Sequence, residues 1–139
     1  DFRIFSGREE LDSFLSETNI LVCLLPLTRH TENILNKDLF LKLPKSSFVI
    51  NVARGKHLVE EDLLEVLESG HLSGAALDVF REEPLPAEHP FWAHPKIHVT
   101  PHIASVTRPA SVVGQILENY RKMKKGEPLE NSVETTRGY

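Results

Sequence analysis

Four short apolar runs that alternate with segments of helical periodicity constrain the fold of this chain more than any other feature. The runs are residues 20–25 (ILVCLL), 47–52 (SFVINV), 74–79 (GAALDV) and 96–100 (KIHVT). Their length and apolar character are typical of buried parallel strands. Strands that alternate with helices predict a parallel sheet made of right-handed crossovers.

The segments between these runs predict helices and one long loop. Helices are predicted over residues 8–17, 37–43, 60–69 and 110–125. Ser6 is the predicted N-cap of the first helix, where Glu9 would complete a capping box, and Asn36 is the predicted cap of the second. Residues 2–5 predict a further short strand, and the proline-rich residues 81–95 predict an extended surface loop.

Polar side chains follow three of the predicted strands. Arg54 comes after the second apolar run, Asp78 ends the third with Glu82 and Glu83 close behind, and His102 follows the fourth. In an open parallel sheet, ligands bind at the carboxyl ends of the strands. The topology therefore brings an arginine, carboxylates and a histidine to one rim of the sheet.

These residue types suit the reduction of a 2-oxoacid. A positioned histidine gives or takes a proton near neutral pH, and a carboxylate such as Glu83 orients it. An arginine holds a substrate carboxylate with two parallel hydrogen bonds. We therefore expect Arg54 to bind the acid and polarise the carbonyl, His102 to supply the proton and a nicotinamide to supply the hydride.

The sequence resembles the D-2-hydroxyacid dehydrogenase family in four motifs that stand in the family's order. They are residues 24–28 (LLPLT), 48–55 (FVINVARG), 78–84 (DVFREEP) and 100–104 (TPHIA). Each motif alone is weakly specific, whereas four in order form a strong signal. The resemblance implies the C-terminal part of a Rossmann-type, doubly wound parallel α/β sheet, with a long C-terminal crossover helix.

The resemblance also implies roles for individual residues. The catalytic residues are Arg54, Glu83 and His102, and Glu83 is preferred to the adjacent Glu82 because it immediately precedes Pro84 in the family pattern. Where the family often has two glycines after the histidine, this chain has alanine and serine, which crowd the backbone slightly. The implied cofactor-binding residues are Leu25, Pro26, Val52, Ala53, Arg54, Asp78, His102, Ala104 and Ser105.

A further pattern is similar to that of bacterial glyoxylate/hydroxypyruvate reductases of the A type. It comprises residues 106–109 (VTRP), 126–128 (GEP) and 137–139 (RGY). It implies glyoxylate or hydroxypyruvate as substrate, NADP (NADPH) in preference to NAD as cofactor, and a homodimer when full length. It also implies that residues 1–106 are the second half of an NAD(P)-binding domain and residues 107–139 a crossover helix and tail.

The Gly-x-Gly-x-x-Gly fingerprint of dinucleotide-binding domains does not occur among the seven glycines. In the family, that element and most of the substrate domain precede the region that this chain resembles. The sequence also has no initiator methionine. We therefore expect a fragment that binds nicotinamide cofactor poorly and turns over little or no substrate alone.

Composition limits the classes of binding partner and the cellular compartment that we expect for this protein. A net charge of -4 disfavours nucleic acid and anionic membranes, and no apolar stretch is long enough to span a bilayer. Cys23 is the single cysteine, which excludes an intrachain disulfide, predicts a buried thiol and fits a cytoplasmic protein. No metal site is expected, because His89, His94, His98 and His102 are irregularly spaced.

Three other interpretations remain open at this stage. The chain resembles phosphoglycerate-type and other D-2-hydroxyacid dehydrogenases in the same motifs. A non-catalytic, NAD(H)-sensing co-regulator on the same fold can retain the Arg-Glu-His set, although the residues around Arg108 are closer to the metabolic reductases. A non-catalytic fragment is the third alternative, because the Gly-rich loop is missing.

Overall fold

Parallel strands form the centre of the fold in this computed structural model, which describes residues 2–105 and 108–133. Within those residues the four strands are β1 Ile20–Cys23, β2 Ser47–Asn51, β3 Leu72–Leu77 and β4 Ile97–Val99. They form one sheet in the order β1-β2-β3-β4, and every neighbouring pair is parallel. The predicted parallel α/β fold class is confirmed.

Helices connect the strands, as the periodicity predicted. Over the described residues the helices are α1 Leu11–Ser16, α2 Lys37–Phe40, α3 Glu60–Glu68 and α4 Pro109–Lys125, with 3-10 turns at Gly55–His57 and Pro90–Trp92. Asn36 caps α2 as predicted, because its side-chain Oδ1 accepts from the Leu39 N–H at 3.0 Å. The loop between β3 and β4 contains no α-helix among its described residues, which agrees with its proline content.

Two expectations for the start of the chain are wrong. Residues 2–5 form no strand, because no described strand lies beside them to complete a hydrogen-bonded ladder, and Phe2 is fully exposed. The capping box of Ser6 and Glu9 is also absent. Instead, Glu10 is the N-cap of α1, and its carboxylate accepts from the Ser6 N–H at 2.6 Å.

The register of the strands explains where the core lies. Leu21, Val49, Ala75 and Ile97 align across the four strands, and all four side chains are buried. Apolar residues of α1, α2 and α3 complete the same cluster. Alternate side chains of a strand point to opposite faces, so this row defines one buried face of the sheet. Cys23 lies on it, and burial raises the pKa of its thiol.

The chain divides into two compact units, Asp1–Ala104 and Ser105–Tyr139. In the second unit, α4 starts with proline, and Gly126 caps its C-terminus with a φ of 71°, the left-handed conformation that glycine favours.

In the described part of the chain, no helix combines the length and the hydropathy that a membrane crossing requires. The predicted motifs at residues 106–107 and 137–139 lie outside the described residues, as does the expected boundary at 106/107.

Candidate active site

His102 and Glu83 form a hydrogen-bonded pair at the carboxyl edge of the sheet. The Nδ1–H of His102 donates to Glu83 Oε2 at 2.8 Å, and the other carboxylate oxygen accepts from the Phe80 N–H at 2.9 Å. Their side chains are 48% and 36% exposed, so the pair is accessible to a ligand. The two predicted residues meet although 18 residues separate them in the chain.

Charge and hydrogen bonding keep Glu83 ionised. The hydrogen bond from His102 lowers the pKa of Glu83 most, followed by that from the Phe80 N–H, and both outweigh partial burial. The positive charges of His102 and, to a smaller extent, Arg54 lower this pKa further. Glu83 is therefore a carboxylate at neutral pH and fixes the orientation of the imidazole ring.

Asp78 holds the backbone that carries His102. Its backbone oxygen accepts from the His102 N–H at 2.8 Å, which supports the left-handed φ of 53° at that residue. Its carboxylate accepts from Thr100 Oγ1 at 2.5 Å and from the Ile103 and Ala104 N–H groups at 2.9 Å each. The cofactor contact predicted for Asp78 stays a prediction, and the hydrogen bonds of its carboxylate within the described residues all go to this loop.

The pKa of Asp78 follows from these contacts. The residue is only 3% exposed, and burial by itself disfavours the ionised form. Hydrogen bonds from Thr100, Ala104 and Ile103 outweigh the burial and lower the pKa of Asp78. A buried, ionised carboxylate at the end of β3 thus orders the loop that follows β4.

Arg54 lies directly after β2, on a loop that Asn51 organises. The buried Asn51 side chain donates from Nδ2 to the Arg54 oxygen at 3.1 Å and accepts from the Ala53 N–H at 3.2 Å. The Arg54 side chain is exposed, and its Nη1 donates to the Ala53 oxygen at 2.6 Å. The guanidinium thus retains free donors for a ligand, as planar carboxylate binding requires.

Gly55 lets two loops of the site approach each other. A Cβ atom at this position would lie 1.8 Å from the carbonyl carbon of Phe80 and 1.9 Å from its oxygen. These distances are far inside van der Waals contact, so only glycine fits beside this backbone. The loop of Arg54 and the loop of Glu83 are therefore in direct backbone contact.

The remaining residues predicted to bind cofactor lie along the same strand ends. Leu25 and Pro26 are exposed after β1, and the Pro26 oxygen accepts from Thr31 Oγ1 at 2.7 Å. Val52 is half-buried and Ala53 is buried, and both backbone groups of Ala53 already have partners in Asn51 and Arg54. Ala104 and Ser105 after His102 are exposed.

An apolar cleft of about 280 Å³ lies beside the His102–Glu83 pair, and the sequence did not predict it. Phe80, Leu85 and Trp92 contribute to its walls. The Trp92 side chain is 53% exposed, and its Nε1–H donates to the Pro86 oxygen at 2.9 Å. The only signal for this cleft in the sequence was the aromatic pair within the proline-rich loop.

The carboxyl edge of the parallel sheet thus carries an arginine and a histidine–carboxylate pair. Residues 3–104 match the model of the D-isomer specific 2-hydroxyacid dehydrogenase, NAD binding domain. The chain therefore belongs to the D-isomer specific 2-hydroxyacid dehydrogenase family.

Curated relatives and solved structures agree with this assignment. The chain is 50% identical over 135 residues to glyoxylate/hydroxypyruvate reductase A of Klebsiella pneumoniae (strain 342), covering 97% of this chain and 43% of that protein. A 2-hydroxyacid dehydrogenase from Xanthobacter autotrophicus, in complex with NADPH and MES, is 44% identical with a TM-score of 0.93 over 97% of this chain and 56% of that one.

A second solved structure has a more specific description. It is an NADPH-dependent glyoxylate/hydroxypyruvate reductase from Sinorhizobium meliloti in complex with NADP and sulfate. It is 39% identical, with a TM-score of 0.91, and the match covers 100% of this chain and 47% of that one. The chain thus spans about half the length, or less, of the relatives it matches.

Proposed function

We propose that the whole protein reduces a small 2-oxoacid, glyoxylate or hydroxypyruvate, to the D-2-hydroxyacid with NADPH, and that this chain supplies its catalytic residues. The observation that carries the proposal is the His102–Glu83 hydrogen bond at the carboxyl edge of the sheet. The 50% identity to a glyoxylate/hydroxypyruvate reductase supports the choice of substrates.

His102 acts as the proton donor. Because Nδ1 is engaged with Glu83, Nε2 is the ring atom that remains to face a ligand. In the protonated ring, Nε2 gives its proton to the carbonyl oxygen of the oxoacid as that oxygen gains negative charge. Glu83 keeps the ring oriented and stabilises its charged form, as an ionised carboxylate does for a catalytic histidine.

Arg54 binds the substrate. Its exposed guanidinium holds the carboxylate of the oxoacid and places the carbonyl carbon and oxygen at the rim, within reach of His102. A bound dihydronicotinamide supplies the hydride that this carbonyl carbon accepts. The apolar cleft beside the histidine offers a non-polar surface to the part of the ligand that lies next to the reacting carbonyl.

The strand-end loops fit the nicotinamide side of a cofactor. The exposed backbone after β1 and β4 and the small side chains of Ala104 and Ser105 leave room for a flat ring. Direct contacts from Leu25, Pro26 and Val52, and a contact from Asp78, stay predictions. Preference for NADPH is supported by the NADPH-dependent and NADPH-bound relatives. Because no glycine-rich fingerprint occurs in the sequence, the isolated chain should bind NADPH weakly.

Domain organisation and assembly complete the proposal. Residues 1–106 would form the second half of the cofactor domain and residues 107–139 the helix and tail towards a substrate domain. A homodimer is proposed from the resemblance to the family, and a cytoplasmic location from the single, buried cysteine. Sedimentation equilibrium of the whole protein tests the dimer, and a monomer at micromolar concentration would contradict it.

The test follows NADPH and NADH oxidation by the whole protein with glyoxylate, hydroxypyruvate and 3-phosphohydroxypyruvate. We expect His102→Ala and Arg54→Ala to lower kcat/KM by about two to four orders of magnitude. Glu82→Gln is the matched control for Glu83→Gln, since the two carboxylates are adjacent and Glu83 is the one that contacts His102. Glu83→Gln should lose activity, whereas Glu82→Gln should retain it.

The same experiment separates the alternatives. Preference for 3-phosphohydroxypyruvate would favour a phosphoglycerate-type dehydrogenase. NADH binding without oxidation by any oxoacid would favour a co-regulator. Near-normal rates in His102→Ala would refute the assigned roles.

A further inference from the structure

His57 is a fully buried polar side chain that the proposed mechanism does not use. It ends the 3-10 turn Gly55–His57, which directly follows Arg54. Burying an imidazole costs free energy unless hydrogen bonds replace those to water. The partners of its two ring nitrogens therefore indicate why a histidine stands at this position.

Each ring nitrogen of His57 lies near a backbone oxygen of a different loop. Nδ1 is 3.0 Å from the Arg54 oxygen, and Nε2 is 3.3 Å from the Pro26 oxygen. Each oxygen also has a local donor, Asn51 Nδ2 at 3.1 Å for Arg54 and Thr31 Oγ1 at 2.7 Å for Pro26. Each loop is thus ordered by its own contacts, and the imidazole ring spans the space between them.

We propose that His57 is a positioning residue: its backbone N–H donates to the Arg54 oxygen at 3.2 Å, its ring carries the proton on Nε2, and the Nε2–H donates to the Pro26 oxygen. Residues 24–28 are thereby held at a fixed distance from Arg54. The inference rests on the proposed function, in which Leu25 and Pro26 contact the cofactor and Arg54 binds the substrate. Hydride transfer depends on how these two ligands are placed relative to each other. A buried link between the two loops sets that placement without touching either ligand.

Two substitutions separate the hydrogen bond to Pro26 from the rest of the side chain. In His57→Gln, the terminal amide nitrogen reaches the position of Nε2 and can donate to the Pro26 oxygen. In His57→Asn, the amide nitrogen takes the position of Nδ1 and reaches only the Arg54 oxygen. Both side chains are neutral and polar, so the reach of the donor is the principal difference between them.

His71 offers a matched control away from the site. Its Nε2 is 2.9 Å from the Phe40 oxygen and 3.1 Å from the Leu43 oxygen, so it also joins backbone oxygens through one ring nitrogen. It precedes β3 and therefore lies at the opposite, amino edge of the sheet. His71→Asn removes a similar contact without affecting residues 24–28 or Arg54.

The experiment uses the whole protein and measures the Kd for NADPH by calorimetry, kcat/KM for NADPH with glyoxylate, and Tm. We expect His57→Asn to weaken NADPH binding about two- to tenfold, the effect of one lost hydrogen bond, with a matching loss in kcat/KM. His57→Gln should restore the wild-type Kd. His71→Asn should lower Tm and leave the Kd for NADPH unchanged.

Other outcomes would overturn the inference. Equal weakening in His57→Asn and His57→Gln would show that the ring acts by packing, and a wild-type Kd in both would show that it positions nothing. Weakening of the same size in His71→Asn would mean that general destabilisation explains the effect. If the wild-type protein itself failed to bind NADPH, the proposed function and this inference would fall together.

Discussion

Replacing Gly55 by alanine should disrupt the active site through a single backbone contact. The new Cβ would lie 1.8 Å from the carbonyl carbon of Phe80 and 2.5 Å from the Arg81 nitrogen. Favourable separations between carbon atoms are about 3.5–4.0 Å, so one backbone must move by roughly 2 Å. Neither contact is with a flexible side chain, so rotation about a side-chain bond cannot relieve the clash.

The displaced segment is the one that orients Glu83. The Phe80 N–H donates to Glu83 Oε1 at 2.9 Å, and the opposite oxygen of the carboxylate accepts from His102. Overpacking costs about 1–3 kcal/mol and more where the backbone shifts, so we expect a loss of roughly 3 kcal/mol in the free energy of unfolding. A displacement of about 1 Å or more at catalytic groups should lower kcat/KM at least about a hundredfold.

Urea unfolding and steady-state kinetics of the whole protein measure both effects. Gly114→Ala in α4 is the matched control, because a Cβ there meets no heavy atom within 4 Å among the described residues. Alanine should stabilise that helix by up to about 1 kcal/mol and leave turnover unchanged. A Gly55→Ala protein within about 0.5 kcal/mol of wild type, the range of neutral surface changes, would refute the reasoning.

Three further predictions concern individual side chains. In Asp78→Asn, an amide N–H₂ replaces one of the carboxylate oxygens that accept hydrogen bonds and faces a donor without bonding to it. Urea unfolding should therefore show that the free energy of unfolding falls by about 1–3 kcal/mol. Folding lowers the pKa of Asp78 and of Glu83 from ordinary values of 3.8 and 4.5. Both ionised carboxylates therefore stabilise the folded protein above those values, and this stabilisation is lost as the pH falls through the pKa of the folded state. Tm should therefore fall on acidification below about pH 5, and less steeply in Asp78→Asn. Asn36→Ala removes the cap of α2 and should cost about 1 kcal/mol in a thermal melt, whereas Asn36→Asp keeps the contact with the Leu39 N–H, loses the Nδ2 bond to the Asn33 oxygen and should cost less.

The strands could be predicted from the sequence, but their ends could not. The first apolar run extends to Leu25, whereas β1 ends at Cys23 and Leu24 is exposed. Hydrophobicity indicates that a side chain avoids water somewhere in the complete molecule, and it does not distinguish a core strand from an apolar loop beside a ligand. The absent strand at residues 2–5 has a related cause, because a strand needs a neighbour and pairing is not a local property.

The partners within the site could be predicted only where residue types and topology determined them. The topology predicted that an arginine, a pair of carboxylates and a histidine meet at one rim, and the resemblance to the family selected Glu83, which does contact His102. The environment of His57 had no comparable signal, since its contact with Pro26 spans 31 positions and involves a backbone oxygen. Every residue carries a backbone oxygen, so a hydrogen bond to one does not require a particular residue type at that position. Sequence patterns therefore do not reveal such partners.

Asp78 has a structural role that the sequence did not predict. Its position at the end of β3 is one from which side chains reach a ligand, and the cofactor contact expected from that position stays a prediction. Within the described residues the carboxylate accepts from three donors between Thr100 and Ala104, and the backbone oxygen of the same residue accepts from the His102 N–H. Because those donors come from the loop after β4, the end of β3 determines where the histidine lies. The proton donor of the proposed reaction is thus placed by a neighbouring strand, and a substitution at Asp78 should change catalysis through the geometry of His102 even where the substrate never touches the aspartate.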